Sequence, residues 1–456
     1  MKDKNPLSIG VFGLGHVGLP TALGFSELGW KVIGVESDPK KARLIKDGDV
    51  PFNETGVATL LNKHAASGRF TVTTDTKLAA KQADILFMCV GTPKREDGSA
   101  NTSQLEQLAR ELRDSISGYK IVIQKSTAPV NTSRKIKDIL LGGKNNDRDI
   151  KSNRKIVDVV VIPEFLREGR ALEDFFNPKR IVVGLDNPEL KSVIVDLYRP
   201  LLETISQGED IFVFTDLASA EISKHAANAF LATKISFINM IADLCTKAGA
   251  NVETVAKVIG MDPRIGAEFL RAGIGFGGEC LPKDLSAFIQ IGKNNGLDFS
   301  LLEAVQKVNN DRVNTYLSQV VRYLGELEGK TLAVWGLAFK PNTDDVRNSQ
   351  STAVVSRLVS QKVRLKVHDP YAAEEFKKTD QVSDLITFCE SPAEAAHGAH
   401  AILILTDWPQ YGEEDFSKLC ETMKTPIIFD GRNMLDPSVL HAIGFQYHGI
   451  GLGKRD

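Results

Sequence analysis

Residues 9–25 read "IGVFGLGHVGLPTALGF". An apolar run meets G-x-G-x-x-G at Gly13, Gly15 and Gly18, and an amphipathic pattern follows. Strand, glycine turn and helix in that order open a dinucleotide-binding βαβ unit. The glycines let the backbone approach a pyrophosphate at the helix N-terminus, where unpaired N–H groups point at it. His16 and Val17 lie between them in the same loop. The next apolar run, "KVIGVESD", ends at Glu36, 18 residues after Gly18. A carboxylate there accepts hydrogen bonds from ribose hydroxyls and repels a 2′-phosphate, which favours NAD over NADP.

Outward from this unit, "ADILFMCVGTP", "YKIVIQKSTAP" and "VDVVVIPEF" are continuous apolar runs. Runs of that kind suit strands covered on both faces, as in a parallel sheet. Between two of them "NTSQLEQLARELRDSI" reads as a helix, with Ser103 and Glu106 at capping-box spacing. From residue 216 the pattern changes. Ile222, Ala226, Phe230, Thr233, Phe237, Met240 or Ile241, and Leu244 form one helical seam of more than six turns. Such a helix is a natural surface for a second copy, and further long helices follow to residue 325. Beyond that, "KTLAVWGLAFK", "VRLKVHDP", "HAILILTDW" and "PIIFDGRNML" restore the strand–helix alternation as four strands. The expected fold is α/β: two Rossmann-like parallel-sheet domains, 1–215 and 326–456, joined by a helical middle domain, 216–325, with a long central helix. The charged stretch "GGKNNDRDIKSNRK", 142–155, is expected to be a mobile surface insertion.

Composition removes several function classes. The net charge is −2, so there is no overall basic field for nucleic acid or acidic lipid. No uninterrupted apolar run approaches the ~20 residues of a membrane span, and no signal peptide is expected before the first strand. The five cysteines contain no C-x-x-C pair, which argues against a disulfide framework or a zinc site and for a reducing, cytoplasmic setting.

One stretch asks for chemistry. Residues 275–284 read "GFGGECLPKD". Beside a nicotinamide, a cysteine suggests covalent aldehyde oxidation through a thioester that water hydrolyses. Lys283 and a helix start at "PKDLSAFIQ" place positive charge near Cys280. Asp284 supplies a carboxylate able to act as base toward water.

These motifs, with "GLGHVGLP", "KSTAPV", "PEFLREGRALEDFFNPKRIVVG", "EISKHAANAFLA" and "GLAFKPNTDDVRNS", run in order along the chain. Together they resemble the UDP-glucose/GDP-mannose dehydrogenase family. The resemblance implies oxidation of a sugar C6 alcohol to a carboxylate in two hydride transfers, without aldehyde release. Cys280 matches the nucleophile. Lys224 matches the stabiliser of oxyanion charge and Asn228 the group that binds the hydroxyl; they sit four apart on one helix face, away from the apolar seam. Thr127 matches the holder of a catalytic water. Glu164 matches an acid/base, and whether Glu164 or Asp284 activates water stays open. Thr92, Thr127, Glu168, Lys283, Arg347 and Lys41 are implied as cofactor contacts. Glu164, Phe165, Leu166, Arg167, Phe269, Leu270, Arg271, Ala272, Gly273, Gly277, Lys340 and Arg432 are implied as substrate contacts. Arg264 matches an arginine supplied across a dimer interface, so a homodimer is implied, with no metal.

"PKRIVVG" and "RIGAEFLRAGIGFGG" are more similar to the UDP-glucose branch, and GDP-mannose or another nucleotide hexose is the alternative substrate. A two-electron dehydrogenase of the 6-phosphogluconate type and a catalytically dead nucleotide-sugar-binding protein are the other readings. The chain departs from many relatives in having Glu36 for aspartate, and "FNETG" (52–56) where they carry a proline before a glycine. The second departure has no functional consequence legible in the sequence.

Overall fold

The computed structural model describes residues 7–142 and 157–453. The proposed insertion 142–155 lies, apart from Gly142, outside the described residues. The chain divides into two compact units, residues 1–227 and 228–456, and the division falls within the helix Leu217–Ala248.

The first unit carries an eight-stranded sheet. Its strands are β1 (Ser8–Phe12), β2 (Lys31–Val35), β3 (Phe70–Thr73), β4 (Ile85–Met88), β5 (Lys120–Gln124), β6 (Val157–Val161), β7 (Ile181–Leu185) and β8 (Phe212–Thr215), ordered β3-β2-β1-β4-β5-β6-β7-β8. Every residue of β4, β5 and β6 is buried, as continuous apolar runs under helices on both faces require. All joins are parallel except β6 with β7. The segment between those two strands is spent on a loop and the six-residue helix Ala171–Phe176. That helix is too short to recross the sheet, so β7 returns antiparallel. The strand order turns at β1–β4, the switch point beside which ligands bind in such sheets.

The second unit carries a six-stranded parallel sheet of β9 (Thr331–Trp335), β10 (Arg364–His368), β11 (Ile386–Phe388), β12 (Ile402–Ile404), β13 (Ile427–Asp430) and β14 (Gln446–Gly449), ordered β11-β10-β9-β12-β13-β14. The same winding therefore occurs at both ends of the chain. The helices Val252–Gly260, Cys280–Asn294 and Ser300–Leu324 precede this sheet. Ile238, Ala242, Val313, Tyr316 and Val320 from the helical region share one hydrophobic cluster with Leu332, Val334 and Trp335 of β9. The helical region and the second sheet are thus one packed body.

The capping expectation at residue 103 is corrected. The helix Ser103–Arg113 is preceded by Thr102, and Ser103 is its first residue. The Thr102 hydroxyl donates to Glu106 Oε1 at 2.8 Å, so Glu106 pairs with the residue before the expected one.

The long helix has two faces. Ile222, Phe230, Phe237, Met240 and Leu244, all in the seam read from sequence, are exposed. The opposite face buries Glu221, Lys224, His225, Asn228, Ser236 and Asn239. By length and composition the helix is apolar enough to cross a bilayer, with a mean hydropathy of 1.3 over its best window. Its inward ionised groups are engaged by protein, which is the arrangement of a core helix.

Candidate active site

In the first unit the glycine loop is built for close approach. A Cβ on Gly18 would stand 1.7 Å from the Gly13 carbonyl oxygen, so only glycine lets the helix Gly18–Glu27 pack on the turn. A Cβ on Gly15 would meet nothing within 4 Å. Gly15 is therefore not needed for packing inside the protein, and the space it leaves is where a pyrophosphate passes in this fingerprint. No side chain caps the helix at Val17. Glu36 Oε2 accepts the Leu14 N–H at 3.1 Å and Oε1 the Asp38 N–H at 3.0 Å, which fixes the carboxylate beside the loop. His16 packs against Phe52, ring centroids 4.2 Å apart and tilted by 35°. Lys41 is exposed in the helix Pro39–Lys46, which Asp38 caps. These residues fit a dinucleotide.

After β4 and β5, Thr92 and Thr127 come together: the Thr92 hydroxyl donates to the Thr127 carbonyl at 2.7 Å. After β6, Glu164 turns back on its own segment. Its Oε2 accepts the Leu166 N–H at 2.6 Å, and Oε1 lies 3.3 Å from the Lys224 ammonium. Both side chains of that pair are only 6% exposed, so the ion pair is a buried one. Lys224 also stands 5.2 Å from the centre of the Phe165 ring. Two neighbours on the helix steady Lys224. Glu221 accepts N–H groups of Asn131 (2.7 Å) and Ser133 (2.8 Å), and His225 donates to the Ala128 carbonyl at 3.1 Å. Both grip the turn that carries Thr127. Arg167 is clipped to Asp174, its guanidinium at 2.6 Å. Glu168 is half-buried in the same loop.

Lys125 is a residue that sequence reasoning passed over, although it stands in the quoted "KSTAPV". It is buried, and burial pushes its ammonium down against the pull of Cys89 and Glu164. Burial holds the Cys89 thiol up at about 12, so Cys89 is not a nucleophile near neutral pH.

In the second unit Cys280 is exposed and is the first residue of the helix Cys280–Asn294, two residues before the expected helix start. One turn on, the Lys283 ammonium donates to Asp284 Oδ1 at 2.7 Å, and the Asn228 amide donates to Asp284 Oδ2 at 2.6 Å. Burial pushes the Lys283 ammonium down, but Asp284, with Cys280 and Glu279 nearby, outweighs it and leaves the pKa raised. Lys283 is therefore a fixed positive charge beside the thiol. Arg347 pairs with Glu279 at 3.0 Å and with Asp345 at 2.7 Å. The glycines before Cys280 answer to the protein itself. A Cβ on Gly277 would stand 2.5 Å from the Asn348 carbonyl oxygen. Gly278, at φ +82°, lies against the Phe339 ring.

The same unit holds a cavity of about 310 Å³. Phe269, Arg271, Ala272, Gly273, Gly277, Lys340 and Arg432 all line it. Leu270 is packed in the hydrophobic cluster. Phe269 sits at φ 65°, a left-handed conformation that is strained for an aromatic residue. Arg432 donates to the carbonyls of Leu405 (2.7 Å), Gly275 (3.1 Å) and Phe339 (3.4 Å), so it holds three walls together. Asn239 and Ile235, on the long helix, also line the cavity. Their spacing of eleven and seven residues from Asn228 is the signal that would have found them. Asp407, paired with Arg271 at 3.0 Å, had no local signal. Arg264 is outside the cavity lining; its side chain is 88% exposed and its guanidinium pairs locally, with Asp262 at 2.6 Å.

Comparison with known proteins agrees along the whole chain. Three models of the UDP-glucose/GDP-mannose dehydrogenase family match: the NAD binding domain at residues 7–202, the central domain at 218–311 and the UDP binding domain at 333–437. A UDP-glucose 6-dehydrogenase of Rhizobium meliloti is 40% identical over 98% of this chain and 99% of its own. One from Bacillus subtilis is 38% identical over 97% of this chain and 93% of its own. Among solved structures, a UDP-glucose dehydrogenase from Pyrobaculum islandicum superposes with a TM-score of 0.88 at 33% identity, covering 99% of both chains. A GDP-mannose dehydrogenase from Pseudomonas aeruginosa gives 0.52 at 25% identity, over 97% of this chain and 100% of its own. With all three domain models matched in order and relatives aligned nearly end to end, the chain belongs to the UDP-glucose/GDP-mannose dehydrogenase family.

Proposed function

We propose that the chain oxidises UDP-glucose to UDP-glucuronate, with Cys280 holding the sugar C6 between two oxidations. The observation that carries this is the turn at Cys280: an exposed thiol opening a helix, with the protonated Lys283 and the Asn228–Asp284 bond fixed one turn behind it. NAD, held by the Gly13–Gly18 loop and Glu36, would supply the chemistry of hydride acceptance. Lys224 stabilises the oxyanion at C6 and Asn228 binds the C6 hydroxyl. The Cys280 thiolate adds to the aldehyde carbon, and the later thioester is hydrolysed by water whose proton goes to Asp284 or Glu164. Thr92, Thr127, Glu168 and Arg347 would serve as contacts to the cofactor. By role the chain divides into a cofactor region (1–215), a helical region (216–325) and a UDP-sugar region (326–456). The preference for UDP-glucose over GDP-mannose rests on the named relatives and on "RIGAEFLRAGIGFGG". The test is stoichiometric: two NADH per UDP-glucose consumed, with GDP-mannose at least ~100-fold slower, about 2.7 kcal/mol in the barrier. One NADH per substrate would place the chain with two-electron dehydrogenases instead.

The working form in this proposal is a cytoplasmic homodimer. The exposed seam Ile222, Phe230, Phe237, Met240 and Leu244 is an apolar stripe of a kind that mating surfaces cover. Arg264, exposed and paired with Asp262 of its own loop, would give its guanidinium to the second copy. Sedimentation is expected to give a dimer that Phe230→Glu dissociates with loss of activity. A fully active monomer of the unmodified chain would remove both claims.

A further inference from the structure

The turn "FNETG", a departure with no consequence in the sequence, has one in the first unit. Glu54 is 6% exposed. Its Oε2 accepts the Gly169 N–H at 2.7 Å and its Oε1 the Ala171 N–H at 2.8 Å. Gly169 and Ala171 are both buried and end the segment that begins at Glu164. That segment is pinned at its start by Lys224 on Glu164 and in its middle by Asp174 on Arg167. Its end is pinned by a carboxylate that arrives from more than 110 residues upstream. On its other side the same turn touches the glycine loop, through Phe52 packed against His16.

We propose that Glu54 is a positioning residue for the Glu164–Ala171 segment, setting where Phe165, Leu166 and Arg167 meet the sugar nucleotide. A buried carboxylate accepting two buried N–H groups is short-range and directional. Replacing one oxygen by an amide turns an acceptor into a donor facing a donor, and that end of the segment must move. The Glu164 pair and the glycine loop keep their own contacts, so the effect falls on the sugar side. This inference rests on the assignment of residues 164–167 to the substrate.

In the full-length enzyme, Glu54→Gln is expected to raise the KM for UDP-glucose at least tenfold while the KM for NAD stays within threefold. Amide exchange at Gly169 and Ala171 should quicken at the same time. A purely structural role would lower the active fraction, and so kcat, and leave both KM values alone. If Glu54→Gln does not fold, Glu54→Asp serves; it keeps the charge but is one methylene short, and is expected to shift the same KM about threefold. Unchanged UDP-glucose KM in the folded variant overturns the proposal. Glu164→Gln, assayed beside it, separates the two failures. If Glu164→Gln also leaves UDP-glucose turnover unchanged, the substrate assignment of the segment is what falls; if only Glu54→Gln is silent, the positioning role falls alone.

Discussion

Replacing Cys280 by alanine is expected to stop uronate formation by at least ~10³-fold, about 4 kcal/mol of lost transition-state stabilisation, while oxidation of the alcohol to the aldehyde persists slowly. The asymmetry follows from the order of bonds. Before the aldehyde exists there is no electrophile for a thiolate, so the first oxidation has little need of Cys280. The aldehyde itself has no readily lost hydride until a nucleophile has added to its carbon, so the second oxidation depends on the thiol. Cys280→Ser carries the argument further. Its oxygen can add, but the ester it forms leaves less readily than a thioester, because an alkoxide is a poorer leaving group. Intact-protein mass spectrometry after NAD and UDP-glucose should show the mass of a nucleotide sugar attached to the serine variant. The geometry supports choosing this cysteine over the others. Cys280 is exposed beside a charged lysine at a helix start, whereas burial holds Cys89 at about 12 and Cys245 is packed in the hydrophobic cluster. Uronate made at an unchanged rate by either variant would end the covalent mechanism.

Lys224→Ala is expected to lower kcat by about 10²–10³-fold, the usual consequence of removing one donor aimed at a developing oxyanion. It should also destabilise the first unit by about 3–5 kcal/mol, because the buried Glu164 loses its counter-charge. The two effects have separate causes and can be separated. In Lys224→Ala/Glu164→Gln neither member of that ion pair is left charged without the other, and the amide oxygen can still accept the Leu166 N–H at the place where Glu164 does now. Most of the lost stability should return in the double variant, and the activity should not. Denaturant melts and steady-state rates on the two variants decide the matter. A single variant with kcat within threefold of the parent would leave the Lys224–Glu164 pair a packing device with no part in the chemistry.

Much of this enzyme is legible in its sequence because the signals are local. The glycine fingerprint needs neighbours only a few residues apart, and the structure keeps Gly13, Gly15, Gly18 and Glu36 around one turn. The long helix reads from its apolar period, and its exposed face is the seam that the period picks out. The cavity residues Phe269 to Gly273 are contiguous apart from Leu270, which turns into the core. The strands that escaped the reading are β3, β7, β8, β11 and β14. Four of these five have three or four residues, too few for an alternation to declare itself, and β7 is the strand that runs back antiparallel. The bond between Thr102 and Glu106 escaped for a related reason: two adjacent hydroxyl residues offer the same spacing to within one position, and only the backbone turn selects between them.

What the tertiary structure alone decided is how the buried charges are satisfied. Glu221 finds its N–H groups 88 and 90 residues away, and Glu54 finds its own 115 and 117 residues away. Lys125 is placed among Cys89, Glu164 and Lys224 by the meeting of three strand ends and a helix. A polar group leaving water must be matched by whatever the fold brings to it. That match depends on strand order and loop path, which no spacing along the chain records. The sequence therefore determined the glycine turn, the glycine-rich turn before Cys280 and the order of the strand–helix and helical regions, whose signals lie within a few residues. The placement of the carboxylates that hold Thr127 and the Glu164 segment was settled only when distant segments folded together, because a buried charge takes its partners from space and not from its neighbours in the chain.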